Sequence, residues 1–276
     1  MWVVFCSVHS GGEKLNGINS KQIRVGNLDI RYFTGGKGEP LVVVHGGASG
    51  GAKEWLENMT ELCKHFTIYA PDLPGFGLSQ HIVGDHGVNE FVEFLDDFTS
   101  CVGLESFYLA GHSTGGGIVL RYAVKFPHKV KKLVIINGMG VGTEIALWVR
   151  LMSLSTLCRS LGVAAATFLR AVTWAVNAVY PPFRFMNPLP IAVVLLGASM
   201  TIFRQEATVL VTQLAMLMIP TLLVWGARDS IVPVSNAYAA ARLIPDCQIR
   251  IFEDGGHSVY RQKVKEFAHL LTGFLR

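Results

Sequence analysis

Charged side chains are scarce, at 16% of the 276 residues, and the stretch from Ile145 to Phe203 contains no Asp, Glu or Lys at all. Half of the residues are hydrophobic, enough to bury a sizeable core, so intrinsic disorder is excluded. The charges present nearly balance, 24 basic against 20 acidic, and the densest basic cluster is the short HKVKK at His128 to Lys132. Such a cluster reads as a solvated lead-in to a strand, not as a nucleic-acid footprint. Cysteine is sparse too: Cys6, Cys63, Cys101, Cys158 and Cys247 are widely spaced, with no C-x-x-C pair. Free thiols in a reducing, cytoplasmic setting are expected, without disulfides or a cysteine metal site.

Nucleotide and metal motifs are absent as well. No G-x-x-x-x-G-K-[ST] occurs, which excludes a P-loop in its usual form. In NGMGVGTE, Thr143 takes the place of the third glycine of a dinucleotide fingerprint, and no acidic residue follows where a ribose ligand should stand. Nine histidines include no H-E-x-x-H, so neither a metal nor a cofactor is expected. No apolar run reaches the roughly 20 residues of a membrane-spanning helix, since Phe185 to Phe203 opens on MNPLP with its two prolines. The N-terminal MWVVFCSVHS lacks a basic leader region and a small-residue cleavage site. It reads as a frayed end or an extra edge segment, with a cleaved leader as the alternative.

What is there is an alternation. LVVVHG (41–46), TIYAPD (67–72), FYLAGHS (107–113), KLVIING (132–138), TLLVWGARD (221–229) and QIRIFED (248–254) read as strands, several of them apolar throughout. Continuous apolar strands are those of a parallel sheet covered on both faces. Helical patterns lie between them, over Glu54–His65, Val88–Val102, Thr114–Phe126, Val234–Leu243 and Tyr260–Leu275. The order predicts an α/β domain with right-handed crossovers. Upstream, KQIRVGNLDIRYFTGG carries a Gly26-Asn27 turn between alternating runs and predicts an antiparallel hairpin at the sheet edge.

One interval breaks the rhythm. From Val141 to about Met218 the gap between consecutive core strands far exceeds the dozen or so residues a crossover needs. An inserted helical lid is expected over 141–218, with the core formed by 1–140 and 219–276. Its apolar composition suits the roof of an apolar pocket, and Arg150, Arg159, Arg170 and Arg184 could hold an anionic group. Peripheral lipid contact through this lid is a further expectation. Oligomeric state leaves no pattern in the sequence.

LAGHSTGGG, residues 109–117, supplies the candidate chemistry. A serine between a strand and a helix sits on a crowded turn, and Gly111 and Gly115 provide the small residues that G-x-S-x-G requires. The turn lifts the Ser113 hydroxyl above the sheet and aims the first N–H groups of the helix at the same point. A serine hydroxyl needs a base, and the base an orienting acid. His257, in DGGHSVY, and Asp229, in ARDSIVP, each follow the carboxyl end of a strand, where parallel sheets build their sites. The glycine loop VVVHGGASGG offers Gly47 N–H as partner to Thr114 N–H in an oxyanion hole, with Ala48 as the fallback. Asp72, Asp96 and Asp97 are rival acids, of which Asp72 is expected to brace its own turn. His45 and His112 are candidate substrate-binding residues, with Arg184 from the lid.

With HGGASG, PDLPGFGLS, GHSTGG, WGARDSIVP and GGHSVY together, the chain resembles an α/β-hydrolase-fold enzyme from about Gln22 onward. The resemblance implies the Ser113, Asp229, His257 order and a mostly parallel sheet with helices on both faces. VVVHGGASGGAKEWLENM followed by YAPDLPGFGLS is similar to the carbon–carbon hydrolases that cleave ring-fission products of aromatic catabolism. Those enzymes usually carry asparagine before the serine and methionine or phenylalanine after it, where this sequence has His112 and Thr114. Ser258 stands where they commonly have tryptophan. A hydrolase of esters or thioesters with an apolar acyl or aryl group is therefore the first expectation, and carbon–carbon cleavage of a dienoate, with Arg184 on a substrate carboxylate, the second. A ligand receptor or scaffold on the same fold is the alternative of another class.

Overall fold

Each of the six runs read as core strands forms one. The computed structural model describes residues 6–9, 14–15, 17–47, 50–80, 87–144 and 211–276. Its strands are β1 (Cys6–His9), β2 (Lys14–Leu15), β3 (Ile18–Val25), β4 (Leu28–Gly35), β5 (Pro40–Val44), β6 (Thr67–Pro71), β7 (Phe107–His112), β8 (Val130–Ile136), β9 (Thr221–Gly226) and β10 (Cys247–Phe252). They form one sheet in the order β1-β3-β4-β6-β5-β7-β8-β9-β10, with β2 beside β3. From β6 to β10 every neighbouring pair is parallel, while β1 to β4 pair antiparallel and β4 joins β6 antiparallel.

The expected hairpin is β3 and β4. Val25 pairs with Leu28 across a turn whose Gly26 has φ +58°, a conformation glycine adopts without steric cost. It is not the outermost edge, because β1 and β2 both pair with the free side of β3.

Alternation along the parallel strands splits the core into two layers. Val42, Val44, Leu109, Leu133, Ile135, Leu223 and Trp225 face one side. There they meet Val92, Leu95 and Phe98 of α2 (Val88–Cys101), Ile118, Val119 and Tyr122 of α3 (Thr114–Lys125), and Ala237 and Ala240 of α4 (Ser235–Ala241). Leu41, Val43, Ala110, Val134, Ile136, Leu222 and Val224 face the other. Their partners are Met59 and Leu62 of α1 (Leu56–Leu62), Tyr260 of α5 (Val259–Gln262), and Phe267 and Leu271 of α6 (Val264–Leu275). With both faces covered, β9 is buried at all six positions, as its continuous apolar run implies.

Two helices differ from their sequence reading. The segment from Glu54 begins as a 3-10 turn, Gly51–Trp55, before α1. The C-terminal helix is divided at Lys263, whose φ of −126° and ψ of 47° lie outside the helical region. The lid expected over 141–218 lies outside the described residues except at 141–144 and 211–218. Arg184 is among those outside.

The cysteines require a correction. Cys63 and Cys247 are free thiols, each pushed up to about 11 by burial, with Asp246 adding to the effect at Cys247. Cys101 on α2, however, is disulfide-bonded. The contrary expectation rested on wide spacing in sequence, whereas a disulfide requires closeness in space. Cysteine usage therefore no longer argues for a reducing compartment. Among the described residues no helix is long and apolar enough to cross a membrane.

Candidate active site

Between β7 and α3 the chain turns at one residue. Ser113 has φ 52° and ψ −116°, a backbone that non-glycine residues rarely adopt and that costs on the order of 1–3 kcal/mol. Its surroundings enforce the turn: Ser113 N–H donates to Ile136 O at 2.9 Å, and Met139 N–H donates to Ser113 O at 2.9 Å. The flanking glycines follow from the backbone crossing there. A Cβ at Gly111 would lie 2.3 Å from Gly115 O, and one at Gly115 would lie 2.5 Å from His45 O, so neither position tolerates a side chain.

The candidate base comes from the loop after β10. His257 Nε2 lies 2.9 Å from Ser113 Oγ, and His257 Nδ1 lies 2.9 Å from Asp229 Oδ2. A carboxylate only accepts, so Nδ1 carries the proton and Nε2 faces the serine as acceptor. Asp229, after β9, is held on every side. Its Oδ1 accepts N–H bonds from Ile231 at 2.8 Å and Val232 at 3.0 Å, and its Oδ2 accepts Asn137 Nδ2 at 2.6 Å. Burial, the largest influence on Asp229, pushes its pKa up, but the His257 contact and the two N–H donors outweigh it and hold the carboxyl below its ordinary range. For His257 burial is also the largest influence and lowers its pKa, against the opposing pull of Asp229. The imidazole therefore stays uncharged, able to accept a proton, to lower pH than a solvated histidine.

The glycine loop after β5 packs against this turn. A Cβ on Gly46 would lie 3.3 Å from Ser113 Cβ, and one on Gly47 would lie 2.9 Å from Thr114 Oγ1. Gly47 and Thr114 are thus adjacent, and Thr114, opening α3, is among the residues whose N–H groups have no partner within the helix. Ala48 lies outside the described residues.

The other candidates divide. His45 is fully buried, its Nδ1 donating to Gly46 O at 2.8 Å and its Nε2 accepting Leu73 N–H at 2.9 Å. Its ring clips the glycine loop to the turn after β6. His112 is buried behind Ser113, with Nε2 2.9 Å from the main-chain oxygen of His257. Among the rival acids, Asp96 accepts the Tyr122 hydroxyl at 2.9 Å and pairs with Lys129, contacts that commit it to α3 and the segment after it. Asp97 on α2 is pushed up in pKa by burial and then by Asp96 and Glu93.

Two residues of the site escaped the sequence reading. Asn137, with φ 45°, follows β8 and donates to Asp229. The Asn-Gly pair after the strand KLVII was a visible turn signal there. Glu54 gave no such signal, standing as the first residue of a helical pattern. No group of three His, Cys, Asp or Glu able to hold a metal occurs among the described residues.

Comparison with known proteins identifies the fold family. A family model described as the alpha/beta hydrolase fold matches residues 39–264. A 2-hydroxy-6-oxo-2,4-heptadienoate hydrolase of Pseudomonas putida is 28% identical over 283 residues, spanning 95% of this chain and 98% of its own. The crystal structure of a bacterial membrane phospholipase A, described as a virulence factor, is similar with a TM-score of 0.71 at 27% identity, over 94% of this chain and 86% of that one. The 2-hydroxy-6-oxo-6-phenylhexa-2,4-dienoate hydrolase of a Rhodococcus strain shares the fold with a TM-score of 0.70 at 20% identity, over 91% and 96%.

Proposed function

The chain belongs to the alpha/beta hydrolase fold family, and from that premise we propose that it is a serine hydrolase cleaving a carboxylic ester or thioester with an apolar acyl or aryl group. The observation that carries this reading is the continuous chain from Ser113 Oγ through the His257 ring to Asp229, with both contacts at 2.9 Å. His257 Nε2 takes the Ser113 proton as Oγ attacks the carbonyl carbon, and Asp229 stabilises the imidazolium and fixes its tautomer. The oxyanion develops toward Gly47 and Thr114, whose N–H groups each contribute about 3 kcal/mol to lowering the barrier. The tetrahedral species collapses, the leaving alcohol or thiol departs with the proton from His257, and an acyl-enzyme on Ser113 remains. Water, deprotonated by the same imidazole, then adds to the acyl carbon, and Ser113 leaves with its proton restored.

A second reading is supported by the 28% identity to the Pseudomonas putida dienoate hydrolase. Carbon–carbon cleavage would need the same histidine to assist ketonisation of a dienol before water addition, with Arg184 on the substrate carboxylate. A screen of p-nitrophenyl esters from acetate to palmitate beside a ring-fission dienoate separates the two. Turnover of medium or long acyl esters without dienoate cleavage is expected, and a strict preference for the dienoate reverses the ranking.

The lid over 141–218 enters the proposal as the source of the apolar acyl or aryl preference. Peripheral contact with a lipid surface through it fits the phospholipase A similarity.

A further inference from the structure

Behind the Ser113–His257 contact lies a second imidazole and carboxylate that the proposed chemistry does not use. Glu54, in the 3-10 turn before α1, and His112, the last residue of β7, are only 8% and 5% exposed. Burying a carboxylate is costly unless it is tied to partners, so its place in the core calls for a reason. Burial, the largest influence, raises the Glu54 pKa, yet His112, His45 and the Gly46 N–H together bring it below the ordinary carboxylate range.

The contacts have a direction. The His112 ring lies between Tyr260 and His257, with ring centres 4.7 and 5.0 Å away. Its Nε2 is 2.9 Å from the main-chain oxygen of His257, which can only accept, so this nitrogen is a donor. Its Nδ1 stands 3.5 Å from Glu54 Oε1, an ion-pair distance when the ring carries both protons and too long for a full hydrogen bond. The same Oε1 accepts the Gly46 N–H at 2.8 Å. One buried carboxylate is thus tied to the glycine loop directly and to the base-bearing loop through one ring.

Building on the serine-hydrolase reading, we infer that Glu54 and His112 are a positioning pair: Glu54 aligns the His112 ring and holds Gly46, and the ring holds the His257 carbonyl. The base and the oxyanion loop then keep one register on Ser113. A displacement of about 1 Å at a reacting group is enough to cost on the order of a hundredfold in rate, so a clamp on both loops acts on turnover and leaves binding alone.

The test uses the full chain and a fluorophosphonate probe, separating the rate of adduct formation at saturating probe from the half-saturating concentration. His112→Gln carries an amide donor where Nε2 was, whereas the amide of His112→Asn reaches only the Nδ1 position. His112→Asn and His112→Phe are expected to slow adduct formation about tenfold or more at unchanged half-saturation, the loss of one buried hydrogen bond. His112→Gln is expected to recover most of the rate. Glu54→Gln, which keeps an acceptor for Gly46 but loses the charge facing His112, is expected to fall between them. Equal rates for wild type, His112→Asn and His112→Gln, each with a cooperative melting transition, overturn the pair while leaving Ser113 as nucleophile. Should His112→Phe fail to fold, the Asn and Gln variants still decide. An adduct that survives Ser113→Ala overturns the nucleophile and the pair's role together.

Discussion

Asp72 and Asp229 occupy equivalent places, each in the loop just past the carboxyl end of a parallel strand and each with a side chain 0% exposed. They are committed to opposite ends. Asp72 spends its Oδ1 on Ala52 N–H at 2.6 Å and its Oδ2 on Leu78 N–H at 2.9 Å. Arg31 Nη2 lies 2.5 Å from that Oδ2, an ion pair in distance though its N–H is not aligned for a hydrogen bond. Gly51 and Gly77 crowd the same carboxylate with positive φ, and a Cβ at either would approach an Asp72 oxygen to 2.3 or 2.1 Å. Asp229 has comparable main-chain donors but turns one oxygen outward to His257. The difference teaches that a buried aspartate at a strand end becomes an orienting acid only when its environment leaves one lone pair for an imidazole.

The sharpest way to break the comparison is to exchange each aspartate for its amide. Asp229→Asn is expected to fold and to lose about 10⁴ in turnover, because an amide no longer fixes the His257 tautomer. Ester hydrolysis by purified, folded variant checks it. Asp72→Asn leaves Arg31 buried without its charge partner and is expected to lose about 3–5 kcal/mol of stability, with adduct formation at Ser113 unchanged in the folded fraction. Urea unfolding together with probe labelling reads both. A stable Asp72→Asn that is unreactive would make Asp72 the acid and reverse the assignment.

Asn137→Gly sharpens the same contrast on a smaller scale. Glycine accepts the φ of 45° and removes only the amide that donates to Asp229. Turnover is expected to fall about tenfold, the effect of one hydrogen bond to a buried carboxylate. Smallest is a displacement of the pH profile. His257 has its pKa lowered in the folded chain, so the acid limb of the labelling rate should lie below the ordinary imidazole value of about 6.5. Because Asp229 pulls that pKa upward, Asp229→Asn should move the limb lower still. By linkage, the folded state prefers uncharged His257: that stability is present above about pH 6.5 and is lost as pH falls through the folded value.

Much of this was legible in residues whose role is local. Gly111, Gly115 and Gly26 announce their turns because backbone geometry admits little else. The strands were readable because continuous apolar runs fit a sheet covered on both faces, as the two layers of the core bear out. What stayed hidden depends on contacts between distant segments. Glu54 lies far along the chain from His112, and the Cys101 disulfide cannot be read from spacing. Nor does the sequence show that Leu73, from another loop, bonds the second nitrogen of His45. The division of the last helix at Lys263 likewise left no proline or glycine to mark it.

The central claim is that Ser113 is a nucleophile activated by His257 through the 2.9 Å contact between them. Intact-protein mass spectrometry after incubation with a fluorophosphonate, followed by peptide mapping, tests it most directly. A single adduct on Ser113 in wild type, absent in Ser113→Ala and slowed by orders of magnitude in His257→Ala, is the predicted result. Folded wild type that takes no adduct, or an adduct that persists in Ser113→Ala, would contradict it.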